Sequence, residues 1–148
     1  MTDKLKLKDL RKQGYRFVGN HSAIKVCLWC KKSIKGEDVC YKDKFYGIKS
    51  HRCIQMTPAL GFCTHRCEFC WRDISWTEKK FEGLVDDPKN IVDGCIKEHV
   101  EYIQGLGGID VDEKKFSEAK RPNQFAISLT GLFLHPLQPI ARASQTCF

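Results

Sequence analysis

The chain predicts an α/β fold with parallel strands, and three observations predict it. An alternating run at 51–56 reads as a strand, an amphipathic pattern opening at Pro88 reads as a helix, and an apolar run at 124–129 suits a second, buried strand. Strand, loop, helix and strand in that order make one βαβ crossover. The 148 residues, 42% hydrophobic and 29% charged, have the composition of one globular domain or part of a larger one. No stretch approaches the roughly 20 apolar residues of a membrane-spanning helix. The opening Met1-Thr2-Asp3-Lys4 lacks the apolar core of a secretion signal, so a cytoplasmic protein without a membrane partner is expected.

Each element has its own warrant. Lys4-Leu5-Lys6-Leu7-Lys8-Asp9-Leu10-Arg11-Lys12-Gln13-Gly14 sets Leu7 and Leu10 three apart among basic residues and closes on a glycine, the pattern of a short basic helix with a C-cap. Residues 15–50 show little periodicity but many cysteines, lysines and aromatics, with turn signals at Ser33 and Gly36. Such a segment is expected to be organised by what its cysteines bind. The strand at 51–56 ends at Thr57-Pro58, and Gly61 opens a loop holding the densest cysteines. After a connection at 81–87, Asp86 or Asp87 can cap a helix whose first position is Pro88. Ile91, Cys95, His99 and Ile103 recur every four residues beside Val92, Ile96 and Val100, which carries the helix to about Gly105 and puts Cys95 in the core. Residues 107–121 read as a polar loop or partial helical turn, and Pro122 leads into the last strand. The sequence contains no internal repeat.

Charge is uneven. Residues 1–80 carry 18 basic and 8 acidic side chains, whereas 81–148 carry 7 and 10. The basic half can face a polyanion such as RNA or be a solvated lysine surface. Nine cysteines in a reducing compartment point to metal or cluster ligands rather than disulfides, and an odd total excludes complete pairing.

Cys63-Thr64-His65-Arg66-Cys67-Glu68-Phe69-Cys70 has the spacing C-x3-C-x2-C directly after the first expected strand. Three thiolates can hold three irons of a 4Fe-4S cube and leave the fourth open. A tetrahedral zinc would want a fourth protein ligand, and His65, inside the loop, has no spacing partner. The cluster is the favoured reading, ahead of zinc and of unliganded cysteines.

With an aromatic residue before its last cysteine, this motif resembles the radical S-adenosylmethionine superfamily. There the open iron chelates the cofactor's methionine end, and the motif follows the first strand of a partial (β/α)6, TIM-like barrel. Electron transfer from the cluster then yields a 5′-deoxyadenosyl radical. The run Tyr41-Lys42-Asp43-Lys44-Phe45-Tyr46-Gly47-Ile48-Lys49-Ser50-His51-Arg52-Cys53-Ile54-Gln55-Met56-Thr57-Pro58, continuing through Gly61-Phe62 and the motif to Trp71-Arg72, narrows the likeness. It resembles the archaeal-type tRNA 4-demethylwyosine synthases of wybutosine biosynthesis, over about residues 15–131.

The resemblance implies a lyase-type radical enzyme that joins pyruvate-derived carbons to N1-methylguanosine next to the anticodon of tRNA-Phe. It implies S-adenosyl-L-methionine as cofactor and two 4Fe-4S clusters, one on Cys63, Cys67 and Cys70 and an auxiliary one on Cys27, Cys40 and Cys53. Those last three stand 13 positions apart, a spacing that means nothing for a zinc finger. Phe69 and Gly131 are implied in cofactor binding. Lys42 matches a lysine that forms a Schiff base with pyruvate, a role for which a neutral amine beside a cation such as Lys44 would serve; a solvent-facing lysine is the alternative. Cys30 is outside the pattern and reads as a bystander. Arg52, Arg66 and Arg72 are candidates for phosphate contact, and Trp29, Tyr41 and Trp71 for stacking or for the core.

The match holds through Ala126-Ile127-Ser128-Leu129-Thr130-Gly131, after which the family continues Gly-Glu-Pro, with a glutamate that helps bind the cofactor's amino group. Here Leu132-Phe133-Leu134 follow, and residues 132–148 carry one charge, Arg142. Three regions are therefore expected: an extension with the auxiliary cysteines at 1–50, the start of the barrel at 51–131, and an anomalous tail at 132–148, ending with Cys147-Phe148, that looks truncated or out of frame. The 96 residues from Cys53 onward suffice for about three βα units of roughly 30 residues, so the expected barrel is incomplete and leaves strand edges open. The complete enzyme is expected to be a monomer with a separate electron donor. Two other functions compete: a zinc-dependent nucleic-acid-binding module built from Cys27-x2-Cys30 and Cys67-x2-Cys70, and an inactive gene remnant.

Overall fold

Alternation along one five-residue strand organises the molecule. In the computed structural model, which describes residues 4–68, 77–108 and 110–127, strand β3 (Cys53–Thr57) buries Ile54 and Met56 on one face and leaves Cys53 and Gln55 half-buried on the other. A slip of one residue would exchange the two faces. (For order, α1 is Lys4–Lys12, β1 Tyr15–Val18, β2 Ser22–Lys25, α2 Leu28–Ile34, α3 Tyr41–Tyr46, α4 Pro88–Gln104, α5 Glu113–Ala119 and β4 Gln124–Ile127.) A 3-10 turn, Ser50–Arg52, leads into β3.

The strands form one sheet in the order β1-β2-β3-β4. The parallel pair expected from the sequence is present, with Cys53 opposite Gln124 and Ile54 opposite Phe125. The other edge of β3 is covered by the antiparallel hairpin β1–β2, through Ala23 opposite Thr57 and Ile24 opposite Met56. An edge expected to lie open is thus paired within the chain. Among the described residues, no strand pairs with the far side of β4.

Helix α4 starts where its sequence says. Asp87 accepts hydrogen bonds from the Lys89 and Asn90 amides at 3.0 and 3.3 Å, and Pro88 takes the first helical position. Gly94 lets the helix close on the sheet, since a Cβ there would meet Val18 Cγ1 at 2.6 Å. Gly19, at φ +59°, turns the hairpin, and a Cβ there would collide with the Asp86 carboxylate.

Helix α4 spans two cores. Its first half joins Val18, Ile24, Ile54, Met56 and Phe62 through Ile91 and Cys95, as expected of Cys95. Its last turn joins Val26, Cys30, Ile34 and Ala119 through Ile103. Between them His99 is 1% exposed, neither ring nitrogen has a hydrogen-bond partner among the described residues, and burial pushes its pKa down to about 4.

Other sequence expectations fail. The last strand, expected to be buried, is half-buried throughout Gln124–Ile127. Residues 107–121 contain helix α5, capped by Asp112, whose carboxylate accepts the Lys115 amide at 3.1 Å, and held by the burial of Ala119 in the second core. Ser33 is not at a turn but fully buried inside α2; the turn falls at Gly36, φ +75°. None of the helices among the described residues is long and apolar enough to cross a membrane.

Candidate functional site

Three cysteines far apart in sequence reach one cavity because each borders a short element. Cys27 precedes α2, Cys40 precedes α3, and Cys53 follows the 3-10 turn, all in extended backbone. The cavity, about 230 Å³, is lined by these three, by Trp29, Tyr41, Lys42, Ile48 and Ser50, and by Gln55 and Ala126 from β3 and β4. It lies on the face of the sheet opposite α4. Among the described residues Lys42 is the one lysine on its lining.

The residues just before Cys53 tie the surrounding pieces together. Ser50 Oγ accepts the Cys40 amide at 2.9 Å, and the Asp43 carboxylate accepts the Ser50 amide at 2.8 Å and its hydroxyl at 3.1 Å. His51, buried, has Ser33 Oγ 3.2 Å from Nδ1 and Glu118 Oε2 2.9 Å from Nε2. Arg52 Nε donates to the Arg121 carbonyl at 2.9 Å. One turn therefore bonds to α2, α3, α5 and the approach to β4.

Burial pushes the Cys53 thiol up to about 11; Lys42 opposes this, and Cys27 and Cys40 add to it. A thiolate forms there only when a cation takes the proton's place, which is what a cluster iron does. Among the described residues no group of three His, Cys, Asp or Glu side chains could hold a single metal ion. Three thiols on one cavity are the donor set that three irons of a cluster would take, one thiolate each.

Cys30 is buried in the second core, 3.8 Å from the His51 carbonyl, and is absent from the cavity lining. Burial, with Cys27 and Cys53 nearby, pushes its thiol up to about 12. Lys44, the cation expected to act on Lys42, is paired with Asp38 at 3.0 Å.

The second cysteine group is built differently. Cys63 and Cys67 are half-buried on the loop after β3, and His65 and Arg66 are exposed. The Cys63 amide donates to the Glu78 carbonyl and the Glu78 amide to the Gly61 carbonyl, both at 3.0 Å. At the start of the loop, His21 Nε2 accepts the Asp86 amide at 3.1 Å, which places the ring proton on Nδ1, 2.5 Å from the Pro58 carbonyl. Cys70, Phe69, Trp71, Arg72, Gly131, Cys147 and residues 132–148 lie outside the described residues.

Of the other sequence candidates, Trp29 and Tyr41 do line the cavity, and Arg52 is engaged by a backbone carbonyl. Ser50, Gln55 and Ala126 were not singled out by sequence. Gln55 and Ala126 were within reach, since residues alternate with Ile54 across the strand and parallel pairing brings position 126 beside it.

The fold and cavity define an α/β unit that gathers thiols and one amine from distant positions. No family model matches the chain. It is 50% identical over 123 residues to the S-adenosyl-L-methionine-dependent tRNA 4-demethylwyosine synthase of Pyrococcus abyssi, covering 82% of this chain and 36% of that protein. It is 43% identical over 134 residues to the synthase of the same name from Methanocaldococcus jannaschii, covering 84% of this chain and 42% of that one. Among solved structures, TYW1 with a lysine-pyruvate adduct bound superposes with a TM-score of 0.80 at 38% identity, over 100% of this chain and 50% of that chain. The chain is homologous to the tRNA 4-demethylwyosine synthases, and it spans 36% and 42% of the length of these two curated archaeal relatives.

Proposed function

We propose that this chain is the cofactor- and pyruvate-holding part of a radical tRNA 4-demethylwyosine synthase, which joins pyruvate-derived carbons to N1-methylguanosine beside the anticodon of tRNA-Phe. The observation that carries the reading is that Lys42 lines the same cavity as Cys27, Cys40 and Cys53. A lysine-pyruvate adduct in a homologous structure gives that pairing a chemical purpose.

In this reading Cys63, Cys67 and Cys70 hold one 4Fe-4S cluster and Cys27, Cys40 and Cys53 the other, with Phe69 and Gly131 beside S-adenosylmethionine. Bound there, the clusters and cofactor supply the electron transfer and radical chemistry. The chain's own part is to place and to shield. The Lys42 amine adds to the pyruvate ketone and, with loss of water, forms an imine that fixes the carbons to be transferred. Trp29, Tyr41 and Ile48 supply the apolar part of the cavity wall around that bond. Ser50 and Asp43 hold the start of α3, and with it Lys42, in register with Cys53.

Iron content and low-temperature EPR of the anaerobically reconstituted chain test the reading. About eight irons per chain, four per cluster, and a signal that changes with S-adenosylmethionine are expected. Bound zinc with no iron would reject it.

A further inference from the structure

The exposed apolar surface of the described residues is concentrated beside the Lys42 cavity. Leu28, Trp29, Tyr41, Phe45 and Tyr46 are five of the seven large hydrophobic residues left exposed, and all five are on α2 and α3. Helix α3 buries none of its residues; Phe45 is 77% exposed and Tyr46 73%. It is held from its base by Ser50 and Asp43, so its rings contribute nothing to the core. An exposed aromatic patch of this kind marks a contact surface.

The neighbouring charges select the occupant. From Leu28 to Lys49 the sequence has six lysines against three acidic residues; Lys35, Lys44 and Lys49 are paired with Glu37, Asp38 and Glu118, and outside those pairs stand Lys31, Lys42 and Lys32, the last 5.2 Å from the centre of the Trp29 ring. Lysine is depleted from the centres of protein–protein interfaces. Lysines among flat rings instead match single-stranded nucleic acid, with phosphates on the cations and bases on the rings. Tyr41 and Phe45, four apart on α3, share one face of the helix, and Tyr41 also lines the cavity. The aromatic surface therefore continues into the candidate site. A base that undergoes chemistry must leave its stack, and the bases it leaves behind need new surfaces to stack on.

We propose that Phe45 and Tyr46 on α3, with Tyr41 and Trp29 at the cavity, form a stacking platform for unpaired RNA bases that flank the reacting base. The assignment rests on the tRNA-modifying reading and adds the surface that holds the substrate.

The test is the affinity of the iron-loaded chain for a fluorescent RNA stem-loop with an unpaired purine-rich loop, against a blunt RNA duplex, over a salt series. Phe45→Leu and Tyr46→Leu keep apolar bulk but lose the ring, and Phe45→Tyr keeps the ring. Because neither side chain is buried, thermal stability should not move. Each leucine variant is expected to bind the stem-loop at least roughly five-fold more weakly, with Phe45→Tyr and duplex binding unchanged. Leucine variants that bind like the unaltered chain would overturn the platform while leaving the tRNA reading standing. Failure of the unaltered chain to prefer the stem-loop, with iron bound and the cofactor-dependent EPR change present, would also overturn the platform and leave the cluster assignment intact. Self-association in sedimentation that Phe45→Ser abolishes would make α3 a protein contact and overturn it too.

Discussion

The two cysteine groups are held by different means. Cys27, Cys40 and Cys53, 13 residues apart in sequence, border α2, α3 and the 3-10 turn, and Ser50, Asp43, His51 and Glu118 bind those pieces together. Cys63 and Cys67 are four apart on one loop, tied down by backbone bonds to the Glu78 segment and by the His21 clamp. The contrast is one of loop closure. Residues close in sequence are brought together by the chain itself, whereas residues separated by longer loops must be ordered by contacts that offset a larger entropy cost. The polar network around Ser50 and His51 is that contact set.

The largest effect should come from what the two groups share. Ile54 is fully buried in β3, between the turn that ends at Cys53 and the loop that carries Cys63. Ile54→Ala should cost about 2–5 kcal/mol in urea unfolding and lower iron binding at both groups together. Loss of iron at one group alone would mean that the groups do not share a scaffold.

Acid should also act on both. His99 titrates near 6.5 when unfolded and about 4 when folded, so between those values the unfolded state binds more protons. Its contribution is fully present above about pH 6.5, is lost as pH falls, and stops changing below about pH 4. The limiting loss is about 3 kcal/mol. His99→Leu, which removes the unpartnered nitrogens, should flatten this part of the stability–pH curve measured by urea unfolding.

Smaller changes should separate the groups. Ser50→Ala leaves the Cys40 amide without its acceptor, at a cost of about 1–3 kcal/mol; iron should fall to about half while the EPR response to S-adenosylmethionine survives. His21→Ala, which opens the clamp at Pro58 and Asp86, should do the reverse. If both variants lost the same iron, the division into two sites would fail. The smallest effect is expected of Lys44→Ala. Its partner Asp38 and its own side chain are solvent-exposed, so the melting temperature should not change measurably.

The βαβ core was legible because β3, α4 and β4 carry strong local signals: alternation at Cys53–Thr57, the Asp87-Pro88 cap with its four-residue repeat, and a bounded apolar run. The hairpin β1–β2 was not read, although Gly19-Asn20 lies between two short β-prone runs, a hairpin signal. Helix α5 was missed because Glu113–Ala119 is mostly charged and its register is set by one buried alanine and by Asp112. At the site, the family resemblance alone marked Cys27, Cys40, Cys53 and Lys42. Nothing local marked Ser50, whose role depends on a turn meeting two helices. Phe45 and Tyr46 were passed over because exposure cannot be read from an aromatic-rich run.

The central claim is that Lys42 and the three distant cysteines form one site. Its most direct test is reduction of the iron-loaded chain with cyanoborohydride in the presence of pyruvate, followed by peptide mass spectrometry, for the unaltered chain and for Cys40→Ala. The account predicts one pyruvate-derived adduct, on Lys42, that is strongly diminished in Cys40→Ala. Labelling spread over surface lysines, or a Lys42 adduct indifferent to Cys40, would contradict it.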